Sequence, residues 1–593
     1  MLLESLANEI ISDIFECIKP AHLLLAFHNL NSRLNKLLVY YFRTHTFDFQ
    51  FASNIDFDIV CQQHLLSMID QITSIRLSDY SNIPYEIDRF LAHGFTFRQF
   101  TRLKSLTLVC NSCKQVQEKI LFELHYISTE LTHLTVILNT YDYTRICSKE
   151  QSESLVNIIW RLPKLIYCKI KIHHFPIPTI ISTSFKHLLI AGRCSYSFHD
   201  IDHLIKYTPY MEQLTLPTSE TQSIDHELSL SLTSIISLNI GLRKIPEHKI
   251  INFFRNMPNL CRLTLYMMNF YIHGHKLEQI IRNDLIKLKV LRFEMSIYSL
   301  NDIKVELVNE LLKSYSTPFW LEERRCPVSC TNNAAAYEKR RWFVRCDWQT
   351  CKNIVYIYTL PYAFHEYRFN WPIRSQSTCF PNYVYDRSYN RVQKLRVWQT
   401  AEQKSPLPNI RFPNVYCLDL LFSIDNQFGL IISNFAHLTS LHLINYKHNP
   451  RYDLQMHALL DQLFHLYRLH FDAYSYATWL RPPFQLKHQS VRELGLTHIK
   501  YNNEQCAILT RTPLGMQCEV LYIYVKNRTC ILDLARTMIN LRFLSVQCYE
   551  NCRNRQSSEA NDQLIEWLQT RISSKWTIAR YSHCYSPLVL WIR

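Results

Sequence analysis

The stretch Leu260-Cys261-Arg262-Leu263-Thr264-Leu265 shows the pattern that decides the fold: apolar, two residues, apolar, one residue, apolar. The same order recurs at 103–108, at 211–216 and at 438–443. Roughly sixteen copies, weaker ones included, follow one another at intervals of about 20–34 residues, most often about 25. A single copy could occur in any half-buried strand, but recurrence at a near-constant interval indicates a structural repeat.

Each copy contains a short strand. Successive side chains of a strand point to opposite faces, so the last two apolar residues point inward and the residue between them points outward. A helix is predicted ahead of several copies, because apolar residues recur at helical spacing and form one stripe. One such stripe consists of Leu155, Ile158, Ile159 and Leu162, and similar stripes precede the copies at Leu260, Leu438 and Leu466.

Neither the strand nor the helix of one repeat can bury its apolar face alone, so neighbouring repeats must stack. The sequence therefore predicts an α/β fold, an irregular leucine-rich-repeat solenoid (horseshoe). Irregularity is expected because an ideal repeat has Asn or Cys three residues after its strand. Asn111 and Asn139 meet that requirement, whereas most other copies do not.

The composition argues against several classes of enzyme. The chain has only 7 glycines in 593 residues, and it lacks the glycine-rich loops of nucleotide-binding folds and the G-x-S-x-G turn of α/β-hydrolases. The net charge is +15, but Lys and Arg are spread along the chain. This distribution favours a solvated basic surface over a nucleic-acid site. No catalytic motif stands out, so we expect a binding protein without a cofactor rather than an enzyme.

The cysteines and the N-terminus indicate a compartment. The 20 cysteines are scattered, which is typical of reduced thiols rather than of a small disulfide-linked secreted domain. Glu4 and Glu9 stand where a signal peptide has a basic start. No apolar run reaches the roughly 18 residues needed to cross a bilayer. We therefore expect an intracellular protein, cytoplasmic or nuclear, with no membrane partner.

The repeats are interrupted in the middle of the chain. Two β-rich runs, 341–348 and 354–360, are joined by about five polar residues, which predicts a hairpin. The hairpin either extends one repeat or protrudes as a flap. Four thiols lie nearby, but their spacing fits a zinc site poorly, so no metal is expected. They are Cys326, Cys330, Cys346 and Cys351.

The chain is predicted to have five parts. These are an N-terminal helical segment (1–45), a first repeat block (46–300), an insertion with a β-hairpin (301–390), a second repeat block (391–550) and a C-terminal cap (551–593). In the cap, Leu564, Trp567 and Leu568 predict a last helix, and 588–592 predicts a last strand.

The N-terminal segment differs from the repeats. Asn8 or Ser5 is expected to cap its first apolar helix, and Pro20 separates that helix from the next. The motifs Leu6-Ala7-Asn8-Glu9-Ile10, Ile14-Phe15-Glu16-Cys17-Ile18 and Leu24 to Leu34 resemble an F-box, with Ala7 where that family usually has proline. Such a segment ahead of irregular repeats is similar to F-box leucine-rich-repeat proteins.

This resemblance implies a substrate receptor of a cullin-type ubiquitin ligase. The F-box would dock on a Skp-type adaptor, and the repeats would hold an unknown target protein. Leu6, Ile10, Ile14 and Phe15 would face the adaptor or support that face. The alternative is an interaction scaffold with no ligase link, whose N-terminal helices only cap the first repeat.

The repeat phase identifies candidate target-binding residues, because outward strand positions would line the concave face. Aromatic and Arg side chains are typical anchors of protein interfaces. The candidates are Arg262, Arg396, Trp398, His442, Arg468, His470, Tyr522 and Tyr524. The alternative at each position is a solvated inner face.

Overall fold

A computed structural model describes residues 5–49, 52, 54–79, 86–110, 123, 130–138, 149–172, 175–192, 196, 198–220, 232–243, 245–299, 305–334, 353–370, 373–378, 388–398, 410–421, 432, 434–444, 456–472, 486–549, 559–573, 576–580 and 588–592. The chain forms two compact units. Unit 1 comprises Met1–Ile272 with Lys276–Leu291, and unit 2 comprises His273–His275 with Arg292–Arg593.

Unit 1 begins with three helices, α1 (Asn8–Cys17), α2 (Pro20–Phe27) and α3 (Ser32–Thr44). Phe15 lies at the centre of this cluster, with its ring 5.1 Å from that of Phe27 and 6.1 Å from that of Tyr41. These aromatic contacts hold the three helices together, because buried rings contribute large apolar areas.

The start of α1 differs from the expected cap. Ala7 occupies the N-cap position, and no side chain caps the helix there. Asn8 instead accepts a hydrogen bond from Arg33 Nε (2.8 Å), and Arg33 Nη2 donates to the carbonyl oxygen of Leu6 (2.6 Å). Arg33 of α3 therefore stabilises the start of α1 in place of the predicted side-chain cap. Pro20 begins α2, where its missing N–H costs nothing.

The strands of unit 1 follow one another in a parallel sheet, each paired with the next along the chain. They are β1 (Phe47–Asp48), β2 (Ser74–Ser78), β3 (Ser105–Cys110), β4 (His133–Leu138), β5 (Tyr167–Lys171), β6 (His187–Ala191), β7 (Gln213–Glu220), β8 (Ser237–Arg243) and β9 (Arg262–Met268). The register places equivalent apolar residues side by side, as with Leu106 and Leu134 or Leu238 and Leu263. One strand per repeat in matching register fits a leucine-rich-repeat solenoid.

Helical segments connect these strands. α-Helices span Asn54–Ile59, Leu66–Met68, Glu86–Ala92, Lys149–Trp160, Phe198–Lys206, Glu247–Arg255 and Gly274–Asn283, with a π-helix at Val60–Leu65 and 3-10 turns at Ile69–Gln71 and Phe97–Gln99. The helix predicted around Leu155 is confirmed at Lys149–Trp160, and the helix predicted ahead of Leu260 is confirmed at Glu247–Arg255. In the first of these helices, Val156 and Trp160 are buried and Ile158 is only half-buried, so its apolar face is slightly rotated from the predicted stripe.

Unit 2 contains an antiparallel group. Its strands are β10 (Val290–Ser299, which begins in unit 1), β11 (Val328–Ala334), β12 (Asn353–Thr359) and β14 (Ile373–Ser377). Strand β12 pairs antiparallel with both β10 and β11, and β14 pairs with β11. The second run of the predicted hairpin is thus a strand, paired with β11, whereas the first run, 341–348, lies outside the described residues.

A second parallel sheet follows, again in chain order. Its strands are β13 (Glu366–Asn370), β15 (Lys394–Trp398), β16 (Cys417–Leu421), β17 (Ser440–Ile444), β18 (Arg468–Asp472), β19 (Glu493–Tyr501), β20 (Val520–Val525) and β21 (Phe543–Cys548). Strands β22 (Trp576–Arg580) and β23 (Leu588–Ile592) close it as an antiparallel pair next to β21. The predicted last strand is therefore present as β23.

The helices of unit 2 are fewer among the described residues. They span Val305–Ser314, Asn503–Arg511, Pro513–Gln517, Thr529–Thr537 and Glu559–Gln569, with a π-helix at Phe319–Glu323 and a 3-10 turn at Phe435–His437. The predicted last helix is confirmed, with Leu564 and Leu568 buried. Ahead of Leu438 the described residues form the 3-10 turn rather than an α-helix, whereas 456–460, ahead of Leu466, are helical.

The core follows the repeat pattern. The inward residues of neighbouring strands, such as Leu134 and Leu263 in unit 1 and Leu418 and Leu441 in unit 2, are fully buried. Burying a leucine side chain contributes about 1.5–3 kcal/mol. The stacked rows of inward side chains are therefore the main source of stability in each unit.

Candidate functional site

The outward face of the unit 2 sheet gathers most of the predicted target-binding residues. The parallel register aligns the middle residues of consecutive strands in one row, which we call the middle row. It consists of Arg368, Arg396, Asp419, His442, His470, Gly495, Tyr522 and Ser545. The residues two positions earlier form a second row, which we call the first row. It consists of Glu366, Lys394, Cys417, Ser440, Arg468, Glu493, Val520 and Phe543.

Asp419 is the centre of one charged cluster on this face. Its carboxylate lies 3.2 Å from Lys394 Nζ, 3.1 Å from Arg396 Nε and 3.6 Å from His442 Nδ1. The Asp419 side chain is only 7% exposed. Burying an unpaired carboxylate costs several kcal/mol, and the surrounding bases offset that cost. Glu366 contacts the same Arg396 at 3.0 Å and so extends the cluster to strand β13.

Glu493 is the centre of a second cluster. Arg468 Nε donates to its Oε2 at 2.7 Å, and His470 Nε2 lies 3.2 Å from its Oε1. Burial alone would raise the pKa of Glu493, but the hydrogen bonds and charges of His470 and Arg468 outweigh burial and lower it. Glu493 therefore stays ionised and holds both bases in position.

Aromatic rings connect the two clusters across the strands. The rings of His442 and His470 stack with centroids 4.6 Å apart, and the ring of Tyr522 lies 5.7 Å from that of His470. Phe543 continues the series at 5.7 Å from Tyr522. The result is a continuous strip of flat side chains beside the charged groups.

Gly495 makes room for this strip. It lies beside His470 in the register, and a Cβ atom at residue 495 would approach His470 Cγ to 2.5 Å. That distance is well inside van der Waals contact, so any side chain here would displace the imidazole. A chain with only 7 glycines thus has one at the place where His470 must lie flat on the sheet.

The structure brings some predicted candidates together and separates others. Arg396, His442, Arg468, His470 and Tyr522 share the face described above, and half-buried Tyr524 follows Tyr522 on strand β20. Arg262 is exposed on strand β9 of unit 1. Trp398 ends strand β15, but its side chain lies outside the described residues.

The buried acids are the functional residues that the sequence analysis missed. Asp419 and Glu493 occupy outward positions and are nevertheless buried beneath their basic neighbours. A signal was available, because each acid lies in register with bases in the adjacent repeats. Reading outward positions across repeats, rather than one at a time, would have found both residues.

The predicted adaptor-binding residues lie on α1 or just before it. Ile10 is 48% exposed, Leu6 and Ile14 are half-buried, and Phe15 is fully buried. Ile10 and Ile14 are one turn apart on the same side of the helix. Phe15 is thus placed to support such a face from behind and cannot itself contact a partner.

The N-terminal helices are attached to the first repeat through a histidine pair. His28, directly after α2, has its Nδ1 atom 3.0 Å from His64 Nδ1, and its Nε2 atom lies 3.1 Å from Ser67 Oγ. One imidazole must donate and the other accept, which requires at least one neutral ring. Burial lowers the pKa of both histidines, and the nearby charge of His64 lowers that of His28 further.

The four cysteines in the predicted insertion are only partly described by the structure. Cys326 is a half-buried thiol whose pKa burial raises to about 12. The side chain of Cys330 and the whole of Cys346 and Cys351 lie outside the described part of the chain. Within that part, no group of three or more His, Cys, Asp or Glu side chains is placed to hold a metal ion. None of the described helices is both long and apolar enough to span a bilayer.

Comparisons with known proteins add little to this geometry. No protein-family profile and no curated protein matches the chain. One similar solved structure is described as "Crystal structure of TLR13-ssRNA13 complex", at 13% identity and a TM-score of 0.24. The match covers 81% of this chain and 63% of the other, so this chain spans less than two thirds of that protein's length. The fold assignment depends on strand order and register rather than on this likeness.

Proposed function

We propose that this chain is a protein-binding adaptor whose unit 2 sheet face holds a target protein. The observation that carries this proposal is the alignment of Arg396, His442, His470 and Tyr522 in one row of a parallel sheet. Side chains of these kinds are common anchors in protein interfaces. Buried Asp419 holds Arg396 and His442 in position, and buried Glu493 holds His470. This supports a surface arranged for recognition.

The finer part of the proposal is that the N-terminal helices dock on a Skp-type adaptor of a cullin-type ubiquitin ligase. The F-box-like motifs and the exposed Ile10 on α1 support it. Fully buried Phe15 would keep the helix rigid behind that surface. A preformed apolar contact loses less entropy on binding than a flexible one.

A second candidate is an interaction scaffold whose N-terminal helices only cap the first repeat. The contact of His28 with His64 favours it, because that contact fastens the helices to the repeat array. The two candidates share the target-binding face and differ in whether α1 has a partner.

Co-purification of the full-length chain with a recombinant Skp-type adaptor separates these candidates. We expect wild type to retain the adaptor and Ile10→Asp to weaken retention at least tenfold, because a buried charge would replace an apolar contact. Ile286→Asp is the matched control, since Ile286 is also an exposed isoleucine of unit 1. No retention by wild type would contradict the ligase role and support the scaffold.

A further inference from the structure

The charges on the outward face of unit 2 lie at different depths. Asp419 and Glu493 are the most buried, with side chains only 7% and 10% exposed, whereas Glu366 is 35% exposed. Two arginines reach further out, since Arg468 and Arg368 are 53% and 49% exposed, against 30% for Lys394 and 31% for Arg396. An approaching molecule therefore meets the guanidinium groups of Arg468 and Arg368 before the carboxylates of Asp419 and Glu493.

We propose that this face binds an acidic segment of a partner protein, a stretch of chain rich in Asp and Glu. The inference depends on the proposed target-binding role of the same face and specifies the chemistry of the target. Carboxylates of the partner would pair with the outer N–H groups of Arg468 and Arg368, since guanidinium groups have several donors and match carboxylate geometry.

Neighbouring carboxylates make the two exposed arginines better receptors. Glu493 holds Arg468 Nε at 2.7 Å, and Glu366 holds Arg368 Nε at 3.1 Å. Each arginine is therefore partly ordered before a partner arrives, which lowers the entropy lost on binding. The flat strip formed by His470, Tyr522 and Phe543 begins on the strand of Arg468 and offers apolar contact to the partner's backbone and side-chain stems.

The same charges disfavour nucleic acid. Apart from the histidines, the middle and first rows contain four bases and three carboxylates, a balance of +1. The bases are Arg368, Lys394, Arg396 and Arg468, and the acids are Glu366, Asp419 and Glu493. A phosphate backbone binds through several cations that release counterions. The carboxylates paired with these bases would repel a continuous line of phosphates more strongly than they would repel a few spaced side-chain carboxylates.

Fluorescence anisotropy with labelled decaglutamate and the full-length chain tests the inference. We expect wild type to bind decaglutamate and Arg468→Gln to weaken binding roughly three- to tenfold. Arg262→Gln is the matched control, because Arg262 is also an exposed arginine at the first position of its strand but lies in unit 1. Its affinity should equal that of wild type. Arg368→Gln provides a second variant, expected to weaken binding, should Arg468→Gln fail to fold.

Three results would overturn the inference. They are absence of decaglutamate binding to wild type, equal weakening by Arg468→Gln and Arg262→Gln, and tighter binding of labelled decauridine RNA that Arg468→Gln abolishes. Equal weakening would mean that the peptide responds only to the overall charge of +15. Adaptor retention measured on the same samples keeps the two proposals separate. Retention without decaglutamate binding would remove the acidic target and leave the ligase role intact.

Discussion

The two parallel sheets have the same kind of residue, buried and apolar, at their inward positions and different kinds of residue at their outward positions. The middle row of unit 1 begins with Asp48 and Arg76 and is uncharged beyond them except at Lys169; the remaining members are Thr107, Thr135, Leu189, Thr215, Asn239 and Thr264. The middle row of unit 2 contains bases, a buried acid and stacked rings. The difference shows that stacking constrains only the inward positions of a repeat. The outward positions are free to specialise, and the middle and first rows of unit 2, as far as the structure describes them, have specialised toward clusters of paired charges.

The difference also changes how the residues depend on one another. In unit 2, Asp419 contacts bases on the strands at either side, so removing Asp419 takes a shared carboxylate away from three bases. In unit 1, Thr135 lies between Thr107 and Lys169 in the middle row and is itself uncharged. Substitutions should therefore have equal effects at inward positions and unequal effects at outward positions.

The largest effect is expected at inward positions, equally in both units. Leu238→Ala in unit 1 and Leu441→Ala in unit 2 each remove a buried side chain from a stacked row. Each should lower the free energy of unfolding by about 2–5 kcal/mol, through lost burial and the cavity left behind. Urea denaturation followed by circular dichroism measures this, with exposed Ile539→Ala as a control expected to stay within about 0.5 kcal/mol. A large loss in one unit alone would break the equivalence of the two sheets.

A smaller and unequal effect is expected at the middle row. Asp419→Ala leaves Lys394, Arg396 and His442 without their shared carboxylate, and should cost about 1–3 kcal/mol. Thr135→Ala, at the matching position of unit 1, should cost less than about 0.5 kcal/mol. The same denaturation experiment compares the two variants.

Asp419→Asn separates charge from shape in this comparison. The amide keeps the size and one oxygen acceptor but loses the negative charge. The free energy of unfolding of Asp419→Asn should therefore lie between that of wild type and that of Asp419→Ala. If Asp419→Asn and Thr135→Ala were both without effect, the charges of unit 2 would be solvated independently, and the contrast between the rows would have no energetic basis.

The inward half of the fold was predictable because its signal is repeated and local. Period-two alternation specifies which side of a strand faces the core, and Leu418, Leu441 and Leu469 occupy equivalent places in successive repeats. Strand order then follows, because short repeats stack on their neighbours in chain order.

The charged clusters were harder to predict because they depend on tertiary contacts between repeats of unequal length. The phase of each strand predicted that Asp419 points outward, yet its depth is set by the longer side chains that cover it from adjacent strands. The F-box resemblance likewise implied that Phe15 faces the adaptor or supports that face, and contacts with Phe27 and Tyr41 place it in the core behind the face. Periodicity alone does not distinguish these two sides of a small helical cluster.

The smallest effects concern pH, and here the two units should respond in opposite directions. In unit 2, Glu294 accepts a hydrogen bond from the Tyr362 hydroxyl, and burial raises its pKa to about 7 despite that bond. A carboxyl with a raised pKa stabilises the folded state below its unfolded pKa, and this stability is lost as pH rises through about 7. Lowering the pH from 7.5 to 5.5 should therefore stabilise unit 2 by about 1–2 kcal/mol, after allowance for partial exposure.

In unit 1, the same change of pH acts through His28 and His64, whose pKa values are lowered by burial. Their contribution is complete above the unfolded pKa of 6.5 and is lost as pH falls, because protonation of both rings breaks their mutual hydrogen bond. Hydrogen exchange, corrected for intrinsic rates, should show weaker protection at 20–45 and stronger protection at 353–359 at pH 5.5 than at pH 7.5. Glu294→Gln should flatten the second trend and His64→Gln the first, each leaving the other unchanged. If protection in the two segments changed in the same direction, Glu294 and the His28–His64 pair would not control the response, because these two sites predict opposite directions.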